Sequence, residues 1–595
     1  MELISLVTTS LKETWTSKKK IILGNWCYSN DIDHGDLDRL EKEKSEQIVK
    51  IEYHWDNREK FKNDYERSFI IYEKLISKLS VKLNKYHKTN YTESFWEIII
   101  GNTVLKIIQV LIDRYNSIHT TLEKIDSAKT IDLNFKYEYF IANDSKELYY
   151  LVNSDEWNHF IYIELIKFLD KSSKIKIINN TIKSKQSNFS NSYNLGIEKD
   201  YIFKKLAKII LKKLRKYIIK INKVIFFKPS MNLVVQWASE IKLFQIPSLL
   251  LFDYSHEKNS YVDDNFRKSK VQNENKNKIE EFIFNYIARL LPKTFIEDFK
   301  YIDLESSKLV SNDKKIIFTA TGYHFNDLFK LYVAKAKANG SKYIIYQHGG
   351  VFGVAEFSSI ERLERRIADK FVTWGWKDSN TISNLIYEKN IFSNYSNKES
   401  RKKIVLVLLS NPKYTHFLDS TIVGSQITKY FSEMNQFLNL FDNDILSNVY
   451  VRANKNSWGW NFVDTLKRNF NGIKFDDINT SFLKSISSAK IVISTYNSTT
   501  VCELLGYNVP TILLWNKNDW TLRKDAEPIY DKLYNAKILH YDNVSAYNHL
   551  LDVLHDVNDW WCKKETQEAV SEFANKYSNG HISNSKQLNK IIKRI

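Results

Sequence analysis

The apolar residues follow different patterns in the two halves of the chain. Before residue 300 they recur mainly at helical spacing, which predicts long helices over about 58–88 and 93–118. Glycine and proline are scarce there, and Pro229 is the first proline. Two short apolar runs, at 3–7 and 21–24, stand near the start. The front half is therefore expected to be rich in helix.

After residue 314, short β-branched runs alternate with helical segments. Strands that alternate with helices are typical of parallel-sheet α/β units. The predicted strands are 315–320, 343–349, 369–375, 403–410, 448–453, 490–495 and 509–515.

The length of the chain and a polar interruption suggest how these units are divided. A chain of 595 residues is too long for one hydrophobic core. Residues 376–402 are polar and interrupt the alternation, so we place a hinge there. We expect an α/β protein with a first domain at 1–375 that carries long helical additions and a second at 403–595.

Composition excludes several classes of protein. The hydrophobic fraction of 43% and charged fraction of 27% exclude wholesale disorder. Three widely separated cysteines without a CxxC pair exclude a disulfide framework and a zinc finger. The N-terminus lacks the pattern of a signal peptide, and no run of ~20 apolar residues occurs. A cytoplasmic location is expected.

The chain carries a strong positive charge. The net charge is +18, from 88 basic and 70 acidic residues, so an anionic partner is expected: nucleic acid, anionic lipid or a phosphorylated substrate.

Half of this excess positive charge lies in 201–225, which has nine basic residues and no acidic one. That segment predicts a basic amphipathic helix, typical of a peripheral anchor on the inner face of the membrane. A helix that packs on its own domain and exposes its basic face to solvent explains the pattern of 201–225 almost as well. Its apolar stripe comprises Ile202, Leu206, Ile209, Ile210, Leu214, Tyr217, Ile218 and Ile221.

A polar turn between a strand and a helix is the first candidate site. Asn497, Ser498, Thr499 and Thr500 follow the strand at 490–495. The free N–H groups of a helix N-terminus, with these hydroxyls, suit a phosphate or diphosphate. Glu503, one turn further, is placed to bind a ribose or sugar hydroxyl. A capped helix without further function is the alternative.

A glycine-rich turn after another strand is the second candidate. The strand ends at Gln347 and His348, and Gly349 and Gly350 follow. The glycines permit close approach to a ligand, and the histidine is a candidate base or phosphate ligand. Glu356, Glu361 and Glu364 further along are candidate bases, and a helix with a solvated charged face explains them equally well. A histidine that bonds only its own loop is the alternative.

Two further segments carry candidate ligands. His54, Trp55, Asp56 and Arg58 stand before a long helix and suggest an acceptor site, with Trp55 as a stacking platform for a sugar and Asp56 as a base. Asp56 also suits a helix N-cap.

The other segment follows the strand at 448–453. Arg452 and Lys455 are candidates to neutralise a donor phosphate. A solvated basic loop is the alternative.

These segments resemble a family of bacterial transferases encoded among surface-polysaccharide genes. The matching motifs are LVTTSLKETW (6–15), GNWC (24–27), YHWDNREKF (53–61), IIIGNTVLKIIQVLIDRY (98–115), YQHGGVFG (346–353), ADKFVTWGW (368–376) and STYNSTTVCELLGYNVPTILLW (494–515). More distantly, the QHG segment and the serine-rich turn resemble capsule Kdo transferases, which are GT-B enzymes that use CMP-activated acidic sugars, and polysialyltransferases.

The resemblance implies a GT-B fold, with two Rossmann-like domains that face a cleft. It implies that His348 and Ser498 or Thr499 contact the donor phosphate. The His-Pro dipeptide of some sialyltransferases is absent, because Gly349 follows His348. No DxD-type motif is placed convincingly, so no metal is expected, and no cofactor beside the nucleotide-sugar substrate.

The sequence therefore favours a glycosyltransferase. It would move a nucleotide-activated sugar, such as a CMP-linked nonulosonic acid, to a surface-polysaccharide or lipid-linked acceptor. One alternative is a CDP-dependent phosphotransferase of the teichoic-acid type. Another is a non-catalytic protein that binds RNA or a membrane. RNA is the less favoured partner, because the densest basic segment is interleaved with Ile and Leu rather than with stacking aromatics.

Overall fold

The computed structural model describes most of the chain. The described residues are 3–28, 47–180, 214–250, 252, 261–273, 277–379, 381–383, 401–477, 479–578 and 585–593.

The first of three parallel sheets is built near the N-terminus. The two short apolar runs of the sequence supply two of its strands, and its order is β3-β2-β1-β4-β5. Its strands are β1 (Ser5–Val7), β2 (Lys20–Ile22), β3 (Ile48–Lys50), β4 (Ala128–Asp132) and β5 (Ile175–Asn179).

The second sheet contains the first three strands predicted after residue 314. Its order is β10-β9-β8-β7-β6, so each strand lies beside its neighbour in sequence. Its strands are β6 (Val224–Phe226), β7 (Ile316–Thr319), β8 (Lys342–Tyr346), β9 (Lys370–Thr373) and β10 (Thr381–Ser383). The edge strand β10 lies inside the expected hinge at 376–402. Residues 380 and 384–400 of that hinge lie outside the described residues.

The third sheet has the strand order of a doubly wound nucleotide-binding fold. Its order is β13-β12-β11-β14-β15-β16, which is 3-2-1-4-5-6 when the strands are counted from its first. The order reverses between β11 and β14, and this is the switch point where such sheets bind ligands. Its strands are β11 (Lys403–Val407), β12 (Val449–Arg452), β13 (Lys474–Phe475), β14 (Ala489–Ser494), β15 (Thr511–Leu514) and β16 (Leu539–His540).

Two long helices form the centre of the front half, as predicted. α1 begins after Asn57, whose side chain accepts a hydrogen bond from the N–H of Lys60, and α2 begins after Thr92 in the same way. The helices before residue 300 are α1 (Arg58–His87), α2 (Glu93–Lys124), α3 (Ser145–Leu151), α4 (Asp155–Leu169), α5 (Leu233–Lys242), α6 (Asp264–Lys268), α7 (Lys278–Leu290) and α8 (Phe299–Ser307). Residues 214–221 are also helical.

The remaining helices cover the second and third sheets. They are α9 (Gly322–Phe325), α10 (Asp327–Ala338), α11 (Ser359–Ile367), α12 (Gln426–Asn439), α13 (Asn443–Leu446), α14 (Phe462–Asn469), α15 (Phe482–Ser487), α16 (Thr499–Gly506), α17 (Glu527–Asn535), α18 (Asn543–Leu554), α19 (Val557–Trp561), α20 (Lys564–Tyr577) and α21 (Ser585–Lys593).

Helix α2 is long and apolar enough to span a bilayer. However, 94% of its most apolar 18-residue window is buried inside the protein. It packs against α1, α4 and α10 and serves as a core helix. Among the described helices it alone meets these criteria of length and composition.

The predicted anchor at 201–225 is described in part. Residues 201–213 lie outside the described residues, and 224–225 belong to strand β6. In the helix at 214–221, Ile218 of the predicted stripe is buried, whereas Leu214, Tyr217 and Ile221 are exposed.

The N-terminal region holds one loop of the third sheet, residues 411–425. The N–H of Asn25 donates to Ser425 Oγ at 2.9 Å, and Tyr53 shares a hydrogen bond of 3.0 Å with Thr415. Arg114 of α2 donates to the carbonyl of Thr415 at 2.9 Å. Buried apolar residues form one continuous cluster through all three sheets, so the N-terminal sheet and the C-terminal sheet share a core.

The α/β class with parallel sheets is confirmed. The described residues contain three sheets, and the first sheet and four strands of the second lie within 1–375, where the sequence predicted one α/β domain. The first sheet escaped prediction because β1, β2 and β3 have three residues each, too few to display an alternating pattern.

Candidate functional site

A polar cavity lies at the switch point of the third sheet. Its volume is about 560 Å³. It is lined by residues 408–411 after β11, 452–455 after β12, 476–477 at β13 and the turn that leads from β14 to α16. The carboxyl ends of these parallel strands meet at one edge of the sheet, so their loops converge there. We call this the switch-point cavity.

The turn before α16 contributes hydroxyl groups, as the sequence predicted. Ser498, Thr500 and Glu503 line the switch-point cavity. Ser498 is the N-cap residue, but its side chain makes no capping hydrogen bond. Thr500 shares a hydrogen bond of 2.6 Å with Tyr496, a second residue of the lining. The N-terminal end of α16 thus faces a cavity lined with hydroxyl groups, an arrangement suited to an anion.

Arg452 supplies a positive charge to the cavity. Its Nη1 lies 3.5 Å from Oδ2 of Asp476, and its Nη2 donates to the carbonyl of Thr480 at 3.0 Å. Burial by itself would raise the pKa of Asp476. Hydrogen bonds from Lys403 and Ser485 and the charge of Arg452 instead hold that pKa below its ordinary value. Asp476 therefore stays ionised and fixes the guanidinium. Lys455 lies exposed on the lining.

Two carboxyl groups in the cavity bind protons unusually well. Burial raises the pKa of Glu503 to about 7, opposed by the charge of Arg452. Burial also raises the pKa of Asp419 to about 6, although Asp419 accepts a hydrogen bond of 2.7 Å from the N–H of Ser359. Both groups line the switch-point cavity. Near neutral pH they can donate or accept a proton, which suits contact with ribose or sugar hydroxyls.

The glycine-rich turn after β8 packs against the start of α16. The N–H of Gly350 donates to Thr499 Oγ1 at 3.1 Å. A Cβ on Gly350 would lie 2.5 Å from the backbone nitrogen of Thr499, so only glycine fits this approach. Val351 and Ala355 of the same loop line the cavity. The second sheet thus forms one wall of the cavity.

Five of the predicted donor-binding residues bond to other parts of the protein and lie outside the cavity lining: Gln347, Gly349, Gly350, Asn497 and Thr499. Gln347, 1% exposed, donates to the carbonyl of Gly349 at 2.8 Å and accepts from the indole of Trp376 at 2.8 Å. Thr499 accepts from Gly350, and Asn497 accepts from the hydroxyl of Tyr530 at 2.8 Å. These contacts shape the turns.

His348 meets two partners that the sequence did not predict. Its Nε2 lies 2.7 Å from Oε1 of Glu364, and the same oxygen lies 3.2 Å from Nε2 of His324. Burial would raise the pKa of Glu364, but His348 and His324 hold it below its ordinary value. Burial lowers the pKa of His324 to about 4. Among the described residues, these three form the group whose ligand atoms lie close enough together to bind a metal ion.

Asp56, Arg58 and Glu356 lie together at one side of the cavity. Arg58 Nη2 approaches Thr521 Oγ1 at 3.4 Å, and the N–H of Glu356 donates to the carbonyl of Thr521 at 3.0 Å. Burial lowers the pKa of Arg58, although the charges of Asp519, Asp56 and Glu356 act against this. The neighbouring Trp520 belongs to the cavity lining. These candidates from distant segments therefore converge near the cavity.

Two predictions for residues 54–57 are wrong. Trp55 is 0% exposed and donates to Asp64 at 2.8 Å, so it is a core residue and cannot stack on a sugar. The N-cap of α1 is Asn57 rather than Asp56, whose side chain accepts from Gln426 at 3.0 Å. His54 is also buried, with Nε2 3.4 Å from Asp113.

Sequence reasoning missed Asp419, Asp476 and Trp520 in the cavity, and His324 beside His348. Asp476 directly follows β13, and attention to polar residues after every predicted strand would have found it. Glu364 was a candidate base, but its contact with His348 was not predicted. His324 lies on helix α9, where nothing in the local pattern distinguishes it from a surface residue.

The fold and the cavity define an α/β protein with a polar, hydroxyl-lined site at a topological switch point. Residues 4–592 match the family model described as LIC12162 family transferase, so the chain belongs to this transferase family and is an enzyme of the transferase class. A search of curated proteins finds no match.

Proposed function

We propose that this transferase is a glycosyltransferase that binds a nucleotide-activated sugar in the switch-point cavity. The observation that carries the proposal is the position of this cavity at the strand-order reversal of the 3-2-1-4-5-6 sheet. Ligands of such sheets bind outside the carboxyl ends of the strands at that reversal. A cavity of about 560 Å³ also falls in the size range of small-molecule sites.

The donor phosphate is assigned to the part of the cavity that Arg452, Lys455 and the start of α16 line. Arg452 and Lys455 supply positive charge, and Ser498 and Thr500 supply hydroxyl groups beside the N-terminus of α16. These groups stabilise the negative charge that develops on the departing nucleotide. Glu503 is assigned to a hydroxyl of the ribose or the sugar, because its raised pKa keeps a proton available for donation near pH 7.

The acceptor is assigned to the side of the cavity formed by the second sheet. An acceptor hydroxyl oxygen forms a bond to the anomeric carbon, and the bond from that carbon to the phosphate oxygen breaks. The electron pair of the broken bond leaves with the nucleotide. His348 is the proposed base that takes the hydroxyl proton, and Glu364 positions the imidazole and balances its charge.

In this proposal the second and third sheets act as the two halves of a GT-B enzyme. Their contact at Gly350 and Thr499 supports such an arrangement. A CMP-linked acidic sugar as donor and a lipid-linked or surface-polysaccharide acceptor are the substrates that the sequence resemblance favours. Asp56 and Glu356, at the side of the cavity, remain the alternative bases.

A thermal-shift titration with CMP, CDP, UDP, GDP and ADP tests the donor site. A ligand that binds only the folded protein raises its stability by about 2.7 kcal/mol at a hundredfold excess over Kd. We expect one nucleotide to raise Tm selectively, and this rise to shrink in Ser498→Ala and Thr500→Ala. Preference for CMP supports an acidic sugar as substrate, and preference for CDP with glycerol-phosphate transfer supports the phosphotransferase alternative.

Ser488→Ala is the matched control. Ser488 is an exposed serine at the end of α15, and it lies outside the cavity lining. Its variant should respond to the nucleotide like the unmodified protein. An equal response in all four proteins, or no response to any nucleotide at millimolar concentration, contradicts the donor-site proposal.

A further inference from the structure

Helix α5 presents its apolar side chains to water and its polar side chains to the protein. Val234 is 69% exposed and Ile241 60%, and Trp237 is also exposed. Gln236 and Glu240 on the opposite side are buried, at 4% and 0% exposure. An amphipathic helix of a water-facing surface has the reverse arrangement.

The chain after α5 continues this apolar surface. Phe244 is 99% exposed and has a positive φ of 57°, a conformation that non-glycine residues rarely adopt. Ile246 and Leu249 are exposed as well. We call Val234, Trp237, Ile241, Phe244, Ile246 and Leu249 the outward α5 surface. A contiguous exposed apolar patch of this kind marks an interaction site.

The polar side of α5 is fixed by hydrogen bonds, so the helix cannot turn its apolar side inward without losing them. Gln236 donates to the carbonyl of Ser248 at 2.9 Å, and Glu240 accepts from the N–H of Ser248 at 2.9 Å. Ser239 bonds Asn589 of α21, and Lys242 donates to Ser585 of the same helix at 2.5 Å. These hydrogen bonds therefore keep the apolar side chains of α5 on the outside of the protein.

The exposed charged residues of the segment that carries this surface have one sign, and the nearby exposed Asp313 is paired with Lys315 at 3.7 Å. Residues 214–250 are all described, and Glu240, which is buried, is their one acidic residue. The exposed charged residues of this range are Lys216, Lys220, Lys223, Lys228 and Lys242. Tyr217, 62% exposed, adds an amphipathic aromatic side chain. Apolar side chains with Trp and Tyr, in a segment whose exposed charged residues are all lysines, match the interface of an anionic lipid bilayer.

We propose that the outward α5 surface docks on an anionic membrane, with the six apolar side chains inserted among the lipid headgroups and the lysines on the lipid phosphates. A second copy of the chain is the less suitable occupant, because a two-fold contact would bring the lysine-rich rims together. The proposal extends beyond the transferase chemistry. It concerns residues outside the switch-point cavity, so either proposal can fail alone.

Vesicle flotation with the full-length protein tests this docking. We use vesicles of phosphatidylcholine alone and of phosphatidylcholine with 30 mol% phosphatidylglycerol, over a range of salt concentrations. We expect binding to the anionic vesicles, little binding to the neutral ones, and weakening at high salt. The double variant Ile241→Ser/Phe244→Ser should bind at least about tenfold more weakly, because each large apolar side chain that inserts is worth roughly that factor.

Val81→Ser/Val544→Ser is the matched control. Val81 and Val544 are 70% and 56% exposed on helices α1 and α18, far in sequence from α5. This variant should float like the unmodified protein, and both variants should keep its Tm within a few degrees. Absence of binding to anionic vesicles, or equal loss in both variants, overturns the proposal. A concentration-dependent dimer that the Ile241→Ser/Phe244→Ser change abolishes, without any lipid binding, identifies a second copy as the occupant and overturns it as well.

Discussion

The Nε2 of His348 lies 2.7 Å from Oε1 of Glu364, a carboxylate whose side chain has no exposed surface. A buried carboxylate in this position fixes the orientation of an imidazole through a hydrogen bond to one ring nitrogen. The pair links the end of β8 to α11.

We expect Glu364→Gln to lower kcat by about 10²–10⁴-fold, the range associated with general acid–base catalysis. The amide keeps the shape of the side chain but cannot balance a charge on His348. Steady-state kinetics with the identified donor measure the effect, and KM for the donor should change little. His324→Gln, which alters the second partner of Glu364, should cost less activity. A KM effect without loss of kcat would assign Glu364 to substrate binding instead.

The raised pKa of Glu503 makes folding stability depend on pH. A carboxyl group whose pKa rises on folding, here to about 7, binds a proton more tightly in the folded state. Its contribution to stability is therefore lost as pH rises from its ordinary value near 4.5 to about 7. We expect Glu503→Gln to gain roughly 1–3 kcal/mol relative to the unmodified protein between pH 4 and pH 8.

Urea denaturation at both pH values measures this gain. Glu568→Gln, on the exposed part of α20, is the control and should show no such difference. A Glu503→Gln protein with the same pH profile as the unmodified chain would show that the carboxyl group ionises normally.

Replacement of Arg452 tests the charge in the switch-point cavity. We expect Arg452→Met to weaken nucleotide binding by about 10–100-fold, the worth of one charge-assisted hydrogen bond to phosphate. Asp476 keeps its 2.7 Å contact with Lys403, so the fold should persist. Isothermal titration calorimetry measures Kd, and Lys467→Met on the exposed side of α14 serves as the comparison. Equal nucleotide affinities in the two variants would show that Arg452 does not bind the nucleotide.

The two neighbouring glycines after His348 should differ in their tolerance of a methyl group. A Cβ on Gly350 would lie 2.5 Å from a backbone nitrogen, whereas on Gly349 the nearest atom is a ring carbon of Phe352 at 3.3 Å. We expect Gly350→Ala to cost about 1–3 kcal/mol of stability and to weaken nucleotide binding, because the loop must move away from α16. Gly349→Ala should have a small effect on both. Urea denaturation and nucleotide titration of both variants measure these effects. A larger loss of stability and affinity in Gly349→Ala than in Gly350→Ala would contradict this account.

The sequence predicted seven of the eleven strands of the second and third sheets and missed the edge strands β6, β10, β13 and β16, which have two or three residues each. The predicted strands carry clear β-branched runs, and the turn after β14 and the glycine-rich turn after β8 could be placed at strand ends without a structure. That Ser498, Thr500, Arg452 and Lys455 line one cavity follows from the meeting of strand ends at one sheet edge.

Contacts between distant segments could not be predicted in this way. Trp55 looked like an exposed aromatic residue in a loop, yet the core of α1 and α2 buries it completely. Glu364 stands in a run of charged residues, and its burial beside His348 depends on how α11 packs on the second sheet. The reversed polarity of α5 is also invisible in sequence, because a stripe of apolar residues ordinarily faces inward.

The contacts between the N-terminal region and residues 411–425 affect when the cavity can form during synthesis of the chain. Asn25 leaves the ribosome hundreds of residues before its partner Ser425, and the segment 411–421 contributes Asn411 and Asp419 to the cavity wall. The lining of the cavity therefore comes together only after residues up to Trp520 have been made, and a chain that ends before residue 411 lacks the segment that the N-terminal region binds.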